Sequence, residues 1–300
     1  MLARKQLLLE IQRRPITFVP GKKVVSVLPG DWISPFEGKG YEPLGYRDFE
    51  IGDDPRRINL PATTSRGQPT IISRAALREF KIMVVIDDSL SMRMRQKWDI
   101  QIRLAALLLY SAWQAETSFG LGVQTRGGIR SLGLGIGSRH FYHLFRRLWS
   151  LLSAEIVPAA KGRELHLSRC LPPNAMLLYC SDFLTSDGEI VAVRSLSRAA
   201  RHFDFVPIVI QDELEYSFPR LSASTFVPFV NPETGVTQEA WITPAISQAM
   251  RAAHESRFDE LIVLLSRHGV RPLHLDSADL ESMSRQLDQY FRSRKGAYAA

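Results

Sequence analysis

Oxygen-bearing side chains follow two of the apolar runs in this sequence. Asp87, Ser89 and Ser91 stand at alternate positions directly after one run, a spacing that puts one carboxylate and two hydroxyls on a single tight loop. Asp182 follows a second run and could add a carboxylate from across a cleft. Hard oxygen ligands of this kind suit Mg²⁺ or Mn²⁺, ions that usually keep several of their waters. One interpretation of the spacing is therefore a divalent-metal site made by these four residues.

A structural interpretation accounts for the same loop without any metal. Serine is a preferred residue at the start of a helix, so Ser89 or Ser91 could simply cap the helix that follows. The Asp87 carboxylate could in turn answer the positive end of a helix dipole. The spacing alone leaves both interpretations open.

The elements that must position these loops follow from the pattern of the second part of the chain. The runs 82–86, 176–180 and 205–210 are short and apolar, which is typical of strands buried on both faces of a sheet. They alternate with segments of helical periodicity, expected at 98–117, 139–152, 189–201 and 244–268. This alternation predicts an α/β fold whose mostly parallel sheet is flanked by helices, with 82–86 near the middle of the sheet. In such sheets ligands collect outside the carboxyl ends of the strands, where both acidic loops stand.

The composition divides the chain into two parts. Residues 1–79 are rich in glycine, proline and charge, with short β-like runs at 23–28 and 70–73, and predict a β-rich N-terminal segment. Residues 80–300 predict the α/β domain. Two hairpins, the second of them an insertion, and a last strand are also expected in that domain, at 120–125 with 129–134, at 225–230 with 236–242, and at 270–275.

Composition also limits the kinds of function. The formal net charge of +7 comes from 38 lysines and arginines against 31 acidic residues, and the basic residues are scattered rather than gathered in a stripe. Nucleic acid is therefore not expected as the main partner. The N-terminus lacks the uninterrupted apolar core of a signal peptide, and the longest apolar segment, 104–113, is too short to span a bilayer of roughly 30 Å. With two cysteines and no zinc-ligand spacing, we expect a soluble cytoplasmic protein without a disulfide scaffold.

Two segments resemble known sequence motifs. The segment 84–92, Val-Val-Ile-Asp-Asp-Ser-Leu-Ser-Met, resembles the metal-ion-dependent adhesion motif of von Willebrand factor A domains. The segment 45–59, which contains Gly-Asp-Asp-Pro-Arg-Arg-Ile, and the later Ser-Arg-Gly at 65–67 are similar to the signature of the bacterial domain-of-unknown-function 58 family, DUF58. Ser-Asp-Phe at 181–183 also fits that family. The resemblance spans roughly residues 25 to 290.

The resemblance implies a fold, a partner and a ligand set. Members of the family are expected to have a von Willebrand factor A-like core and to act as partners or adaptors of MoxR-type AAA+ ATPases, near which they are often encoded. In related A domains the ion is held by residues that match Asp87, Ser89, Ser91 and Asp182, together with a threonine from another loop. An incoming partner carboxylate fills the open position on the ion.

The threonine is the departure from that pattern. The family's Gly-Thr-acidic-Leu segment corresponds here to Gly-Arg-Glu-Leu at 162–165, so Arg163 stands where a hydroxyl is expected. A guanidinium cannot ligate a cation, although it pairs well with carboxylates. Either Arg163 turns outward and Glu164 or water completes the shell, or Arg163 replaces the charge of the metal. Mg²⁺ or Mn²⁺ is an expected cofactor only in the first case.

Together these observations predict a non-catalytic protein-binding module. The residues expected to bind the partner are Asp87, Asp88, Arg163 and Asp182, and a second candidate group is Asp53, Asp54, Arg56 and Arg57. The second group is equally typical of a turn with local ion pairs.

Two other classes of function stay open as alternatives. In phosphoryl-transfer enzymes of the haloacid dehalogenase type, a strand ends in an aspartate nucleophile, and a second aspartate two residues later acts as acid and base. Ser89 occupies that second place here. A basic nucleic-acid-binding protein would instead use the arginine surplus, and its affinity would fall steeply with salt.

Overall fold

Two units make up the chain. A computed structural model describes residues 2–20, 32–37, 43–50, 55–78, 81–94, 96–125, 128–152, 175–184, 193–212, 215, 217–230 and 237–296. Contacts between Cα atoms group residues 23–80 into one unit, and residues 1–22 together with 81–300 into a second, larger unit.

Strands and helices alternate along the larger unit. The strands of the whole chain are β1 Trp32–Glu37, β2 Pro43–Asp48, β3 Thr70–Arg78, β4 Lys81–Asp87, β5 Ser118–Thr125, β6 Gly128–Gly135, β7 Met176–Ser181, β8 Asp204–Ile210, β9 Thr225–Val230, β10 Thr237–Ile242 and β11 Leu273–Leu275. The helices are α1 Leu2–Gln12, α2 Leu60–Arg66, α3 Leu90–Arg93, α4 Lys97–Gln114, α5 Gly137–Leu152, α6 Val193–His202, α7 Pro244–Arg267 and α8 Leu280–Gly296.

A six-stranded sheet forms the centre of the larger unit. Its order is β11-β8-β7-β4-β5-β6, and every pair of neighbours is parallel except β5 and β6. Strand β4 lies inside the sheet, between β7 and β5, which confirms the predicted position of the run 82–86. The mostly parallel α/β fold is therefore confirmed.

Strand β4 is a continuous apolar run because both of its faces are covered. Met83 and Val85 belong to a buried cluster that also contains Leu196 of α6 and Leu261 and Leu265 of α7. Helix α4 contacts β4 and β5 as well. A strand covered in this way carries apolar residues at every position instead of alternating with polar ones.

Helix α4 is apolar around most of its circumference. All residues from Leu104 to Leu109 are buried, since the helix contacts the sheet, α1, α5 and α8. Two polar side chains near its start, Lys97 and Gln101, are buried too. Four residues apart, they lie on the same face of the helix, and this face meets the carboxyl end of β4.

The first 22 residues pack with the larger unit. The backbone N–H of Ile16 donates to the Ser111 hydroxyl at 2.9 Å, and the Phe18 ring meets the Phe291 ring edge-on at 5.3 Å between centroids. The division predicted from composition assigns these residues to the N-terminal segment, and the structure corrects it. Their apolar side chains pack against α4 and α8. Composition alone cannot reveal such contacts with distant parts of the chain.

The smaller unit is β-rich. It contains a three-stranded antiparallel sheet of order β1-β3-β2, and α2 lies between β2 and β3 along the chain. Asn59 caps α2 by accepting from the Ala62 N–H at 2.9 Å. Gly67 ends the helix with φ of 73°, in the left-handed region where glycine is favoured.

Most predicted elements are present with shifted ends. Both hairpins are confirmed as β5–β6 and β9–β10, and the predicted helices correspond to α4, α5, α6 and α7. The helices α1, α2 and α8 were not predicted. The predicted run 23–28 and the start of the predicted helix 189–201 lie outside the described residues. Among the helices described, none has the length and apolar character needed to cross a membrane.

The packing of the first residues can be tested through Phe18. Phe18→Ala should lower the free energy of unfolding by about 3–5 kcal/mol, because it leaves a cavity beside Phe291. Leu9→Ala, at an exposed position of α1, serves as the control and should change it by less than about 0.5 kcal/mol. Urea denaturation of both variants measures the difference, and equal midpoints would contradict the packing described.

Candidate functional site

The loop after β4 is held in shape by its own polar groups. One oxygen of Asp87, Oδ1, accepts from the Ser89 N–H at 3.0 Å. Ser89 is the N-cap of α3, since its hydroxyl accepts from the Met92 N–H at 3.4 Å, and this hydroxyl also lies 3.0 Å from that of Ser91. The capping interpretation of Ser89 is therefore confirmed, and the three predicted oxygens do lie on one tight loop.

The loop after β7 is tied to the loop after β4. The Ser181 hydroxyl donates to the second oxygen of Asp87, Oδ2, at 2.7 Å and accepts from the Phe183 N–H at 3.0 Å. The next residue, Asp182, accepts from the Leu184 N–H through Oδ1 at 3.1 Å. Because β4 and β7 are parallel neighbours, their two acidic loops meet at the same edge of the sheet.

Backbone strain marks the second loop. Phe183 has φ of 57°, in the left-handed region that a bulky residue seldom adopts. Its ring is buried in the cluster beneath the sheet, and the hydrogen bond from its N–H to Ser181 fixes the turn. Residues in this conformation persist where the surrounding structure determines them, and they concentrate at functional sites.

Helix α4 is clamped to the end of β4 by an amide side chain. Gln101 accepts from the Asp87 N–H at 3.1 Å and donates to the Asp87 carbonyl at 3.0 Å. Both backbone groups of Asp87 are thus satisfied by one buried side chain. The clamp fixes the first turn of α4 relative to the loop.

One turn earlier, Lys97 places a positive charge inside the site. Its Nζ lies 3.2 Å from Oδ2 of Asp182 and also pairs with the carboxylate of Glu215. Lys97 is 2% exposed and Asp182 is 0% exposed. Burial by itself lowers the pKa of Lys97, but the adjacent carboxylates of Asp182 and Glu215 outweigh it and raise that pKa above the usual value. The ammonium is therefore charged at neutral pH.

Glu215 completes a group of two carboxylates around one ammonium. Its Oε2 accepts from the Asp212 N–H at 3.0 Å, and its carbonyl accepts from the Arg257 side chain at 2.9 Å. Burial raises the pKa of Glu215, and the negative charge of Asp182 adds to this, so that the attraction of Lys97 only partly offsets them. One ammonium cannot fully balance two carboxylates, so the pKa of Glu215 stays above its usual value.

Asp88 faces away from these buried groups. Its carboxylate pairs with Arg93 at 2.6 Å, and the Arg93 guanidinium lies 4.5 Å from the centroid of the Trp98 ring. Cation–π contact and ion pair together order the short helix α3 against the start of α4. Asp88 and Ser91 remain partly exposed, whereas Asp87 is 1% exposed.

The structure brings together part of the predicted site. Asp87, Ser89, Ser91 and Asp182 gather at the carboxyl edge of β4 and β7, and Asp88 lies at its rim. Asp53, Asp54 and Arg163 lie outside the described residues, as does Glu164. In the smaller unit, Arg56 is exposed on a single helical turn, Pro55–Arg57, and only the backbone of Arg57 is described.

Sequence reasoning missed the cation that the structure does contain. Lys97 stands in the first turn of α4, where a positive charge opposes the helix dipole, and this unfavourable placement was the available signal. Gln101 and Ser181 carried no motif. Glu215 follows β8 without any spacing that links it to a lysine 118 residues earlier.

A divalent ion does not fit this donor set. The two oxygens of Asp182 face the Lys97 ammonium and the Leu184 N–H, and those of Asp87 face Ser89 and Ser181. At an effective dielectric of about 20, an ammonium and a divalent ion about 5 Å apart repel each other by roughly 6–7 kcal/mol. Among the described residues, no group of three histidine, cysteine or acidic side chains is arranged to hold a metal.

Comparison with known proteins places the chain in a family. The profile of the family described as Protein of unknown function DUF58 matches residues 45–260, so the chain belongs to that family. The uncharacterized proteins Rv1480 of Mycobacterium tuberculosis and Mb1516 of Mycobacterium bovis are each 25% identical to it over 256 residues, which cover 82% of this chain and 78% of theirs.

Solved structures with a similar fold include a von Willebrand factor type A protein from Catenulispora acidiphila. Its TM-score is 0.39 at 13% identity, over 73% of this chain and 42% of that one. The pilus adhesin SpaC from Lactobacillus rhamnosus GG has a TM-score of 0.33 at 12% identity, over 72% of this chain and 30% of the adhesin. The chain thus spans less than half the length of either protein.

The ion pair at the centre of the site predicts a large effect on stability. Lys97→Met should lower the free energy of unfolding by about 3–5 kcal/mol, because it leaves the buried carboxylate of Asp182 and the partly buried carboxylate of Glu215 without their cation. Arg103→Gln breaks solvent-accessible pairs with Asp99 on the same helix and with Glu10 of α1, and should cost at most about 1 kcal/mol. Urea denaturation compares the two variants.

The triple variant Lys97→Met, Asp182→Asn, Glu215→Gln removes the charges together. It should recover part of the stability that Lys97→Met loses, since no uncompensated charge stays buried. A triple variant less stable than Lys97→Met would show that the ion pair is not the source of the loss.

Proposed function

We propose that the chain is a non-catalytic protein-binding module that serves as partner or adaptor of a MoxR-type AAA+ ATPase in the cytoplasm. Membership in the DUF58 family supports the choice of partner, because the resemblance implies that members act with such ATPases. The site supports the binding role. It is a preformed loop at the carboxyl edge of a parallel sheet, the place where such folds bind ligands.

One observation carries the proposal. The hydrogen bond from Ser181 to Asp87 joins the loops after β4 and β7 into one structure, while Asp88 and Ser91 stay accessible at its rim. A partner would reach these rim residues first. Asp87 and Asp182, which were predicted to touch the partner, would instead position the rim from below.

The buried state of Asp87 also bears on the enzymatic alternative. A carboxylate nucleophile has to reach its substrate, yet Asp87 is 1% exposed and both of its oxygens accept hydrogen bonds. The place of a second aspartate is taken by Ser89, which caps α3. These contacts favour a binding loop over a phosphoryl-transfer centre.

A preformed loop suits binding for a thermodynamic reason. Groups that are already ordered lose little conformational freedom when a partner docks, so more of the contact energy appears as affinity. The bonds from Ser89, Gln101 and Ser181 order the backbone and side chain of Asp87 before any partner arrives. The ion pair between Arg93 and Asp88 does the same for the rim.

The proposal predicts that a bulky cation on the rim blocks the partner. Ser91→Arg should weaken binding to the purified MoxR-type ATPase of the same organism by about tenfold or more, because the long charged side chain would keep the partner from close contact with the loop after β4. Ser150→Arg, on the exposed side of α5, introduces the same residue away from the loop and should leave affinity unchanged. Calorimetric titration of the three proteins measures the affinities.

The circular dichroism spectra of both variants should match that of the unmodified chain. If no complex forms with the unmodified chain, the proposed partner is wrong. If a complex forms and the two arginine variants weaken it equally, the loop after β4 is not the contact surface.

A further inference from the structure

A buried cation already lies against one acidic residue of the candidate metal site. The Lys97 ammonium contacts Asp182, the residue that the resemblance assigns to the ion, and it also contacts Glu215. Lysine is rarely buried unless its charge is paired. A lysine in the first helical turn, with two carboxylates around it, therefore has a specific electrostatic role.

The ammonium shares one contact with an ion at this edge, the carboxylate of Asp182, and connects that residue with two further parts of the fold. Lys97 belongs to the first turn of α4, Asp182 to the loop after β7, and Glu215 to the segment after β8. The Asp182 carbonyl further accepts from Gln211 at 2.8 Å, which draws the end of β8 into the same network. One positive charge thus holds three separate segments of chain together.

We infer that the Lys97 ammonium takes the place of the divalent ion beside Asp182. The edge formed by the loops after β4 and β7 is then organised by a cation belonging to the chain and binds its partner without metal. The inference rests on the proposed function only for the role of the loop in partner binding. The position of the cation stands on the contacts of Lys97 alone. It also differs from the alternative in which Arg163 replaces the charge of the metal.

Two features of the site agree with a permanent cation. The loop after β4 reaches its folded form through protein donors, with both Asp87 oxygens accepting from Ser89 and Ser181. The strained turn at Phe183 keeps Asp182 directed at Lys97 through the Leu184 N–H. A covalently attached charge cannot dissociate, so the loop would keep this form at any concentration of Mg²⁺.

Titration of the purified chain with Mn²⁺ tests the inference without any partner. The unmodified chain should show no saturable heat of binding at millimolar Mn²⁺, and its melting temperature should be the same in Mn²⁺ and in EDTA. Lys97→Gln removes the charge and leaves the carboxylates of Asp182 and Glu215. This variant should bind Mn²⁺, and its melting temperature should rise by roughly 5–10 °C at a hundredfold excess over its Kd.

Two control variants distinguish the possible sources of charge. Lys97→Arg keeps a cation at the same position and should remain unresponsive to Mn²⁺. Arg163→Thr restores the hydroxyl that the family places there but retains Lys97, and it should also bind no Mn²⁺. Saturable binding by Arg163→Thr would assign the replacing charge to Arg163 and overturn the inference.

A second variant tests the inference in case Lys97→Gln alone does not fold. Lys97→Gln combined with Glu215→Gln retains Asp87, Ser89, Ser91 and Asp182 but removes the surplus carboxylate, and it should bind Mn²⁺ as well. Saturable Mn²⁺ binding by the unmodified chain would overturn the inference, and so would a folded double variant that binds none. A missing ATPase complex would leave these titrations unaffected, so failure of the proposed function is recognised separately.

Discussion

The ion pair between Lys97 and Asp182 constrains the sheet edge where the two acidic loops meet. Both groups are buried away from water. Each would lose several kcal/mol of hydration energy if it were buried alone. They are stable only as a pair, with Glu215 as a second anion. The start of α4, the loop after β7 and the segment after β8 must therefore stay in the arrangement that keeps the charges together.

The remaining geometry of the site follows from that arrangement. Once the first turn of α4 is fixed, Gln101 lies one turn further on and binds both backbone groups of Asp87. The carboxylate of Asp87 can then accept from Ser89 on its own loop and from Ser181 on the neighbouring strand. A chain of buried polar contacts of this kind is satisfied at each member, which is the condition under which such networks make a structure more rigid.

The sheet could be predicted from the sequence because its signals are local. Continuous apolar runs such as 82–86 specify buried strands, and the loops at their carboxyl ends then fall on one edge. The helix α8 escaped prediction although Leu280, Met283, Leu287 and Phe291 repeat at helical spacing and are all buried. For residues 1–22 the obstacle was different. Their place on α4 and α8 depends on contacts with residues far along the chain, and composition carries no record of these.

In the candidate site, too, some residues could be predicted from the sequence and others could not. Asp87, Ser89, Ser91 and Asp182 could be predicted to lie at one edge because they stand at or shortly after the carboxyl ends of two strands. The cation could not be located, since the partners of Lys97 stand 85 and 118 residues away and no motif joins them. The sequence offered Arg163 as one possible source of positive charge at the site, whereas the described residues place Lys97 of α4 against Asp182.

A crystal structure of the unmodified chain soaked in Mn²⁺, with anomalous diffraction data, tests the central claim most directly. The account predicts that the Lys97 Nζ lies against Asp182 and that no anomalous peak stands among Asp87, Ser89, Ser91 and Asp182. A strong peak at that position, with the Lys97 side chain turned away from Asp182, would contradict it.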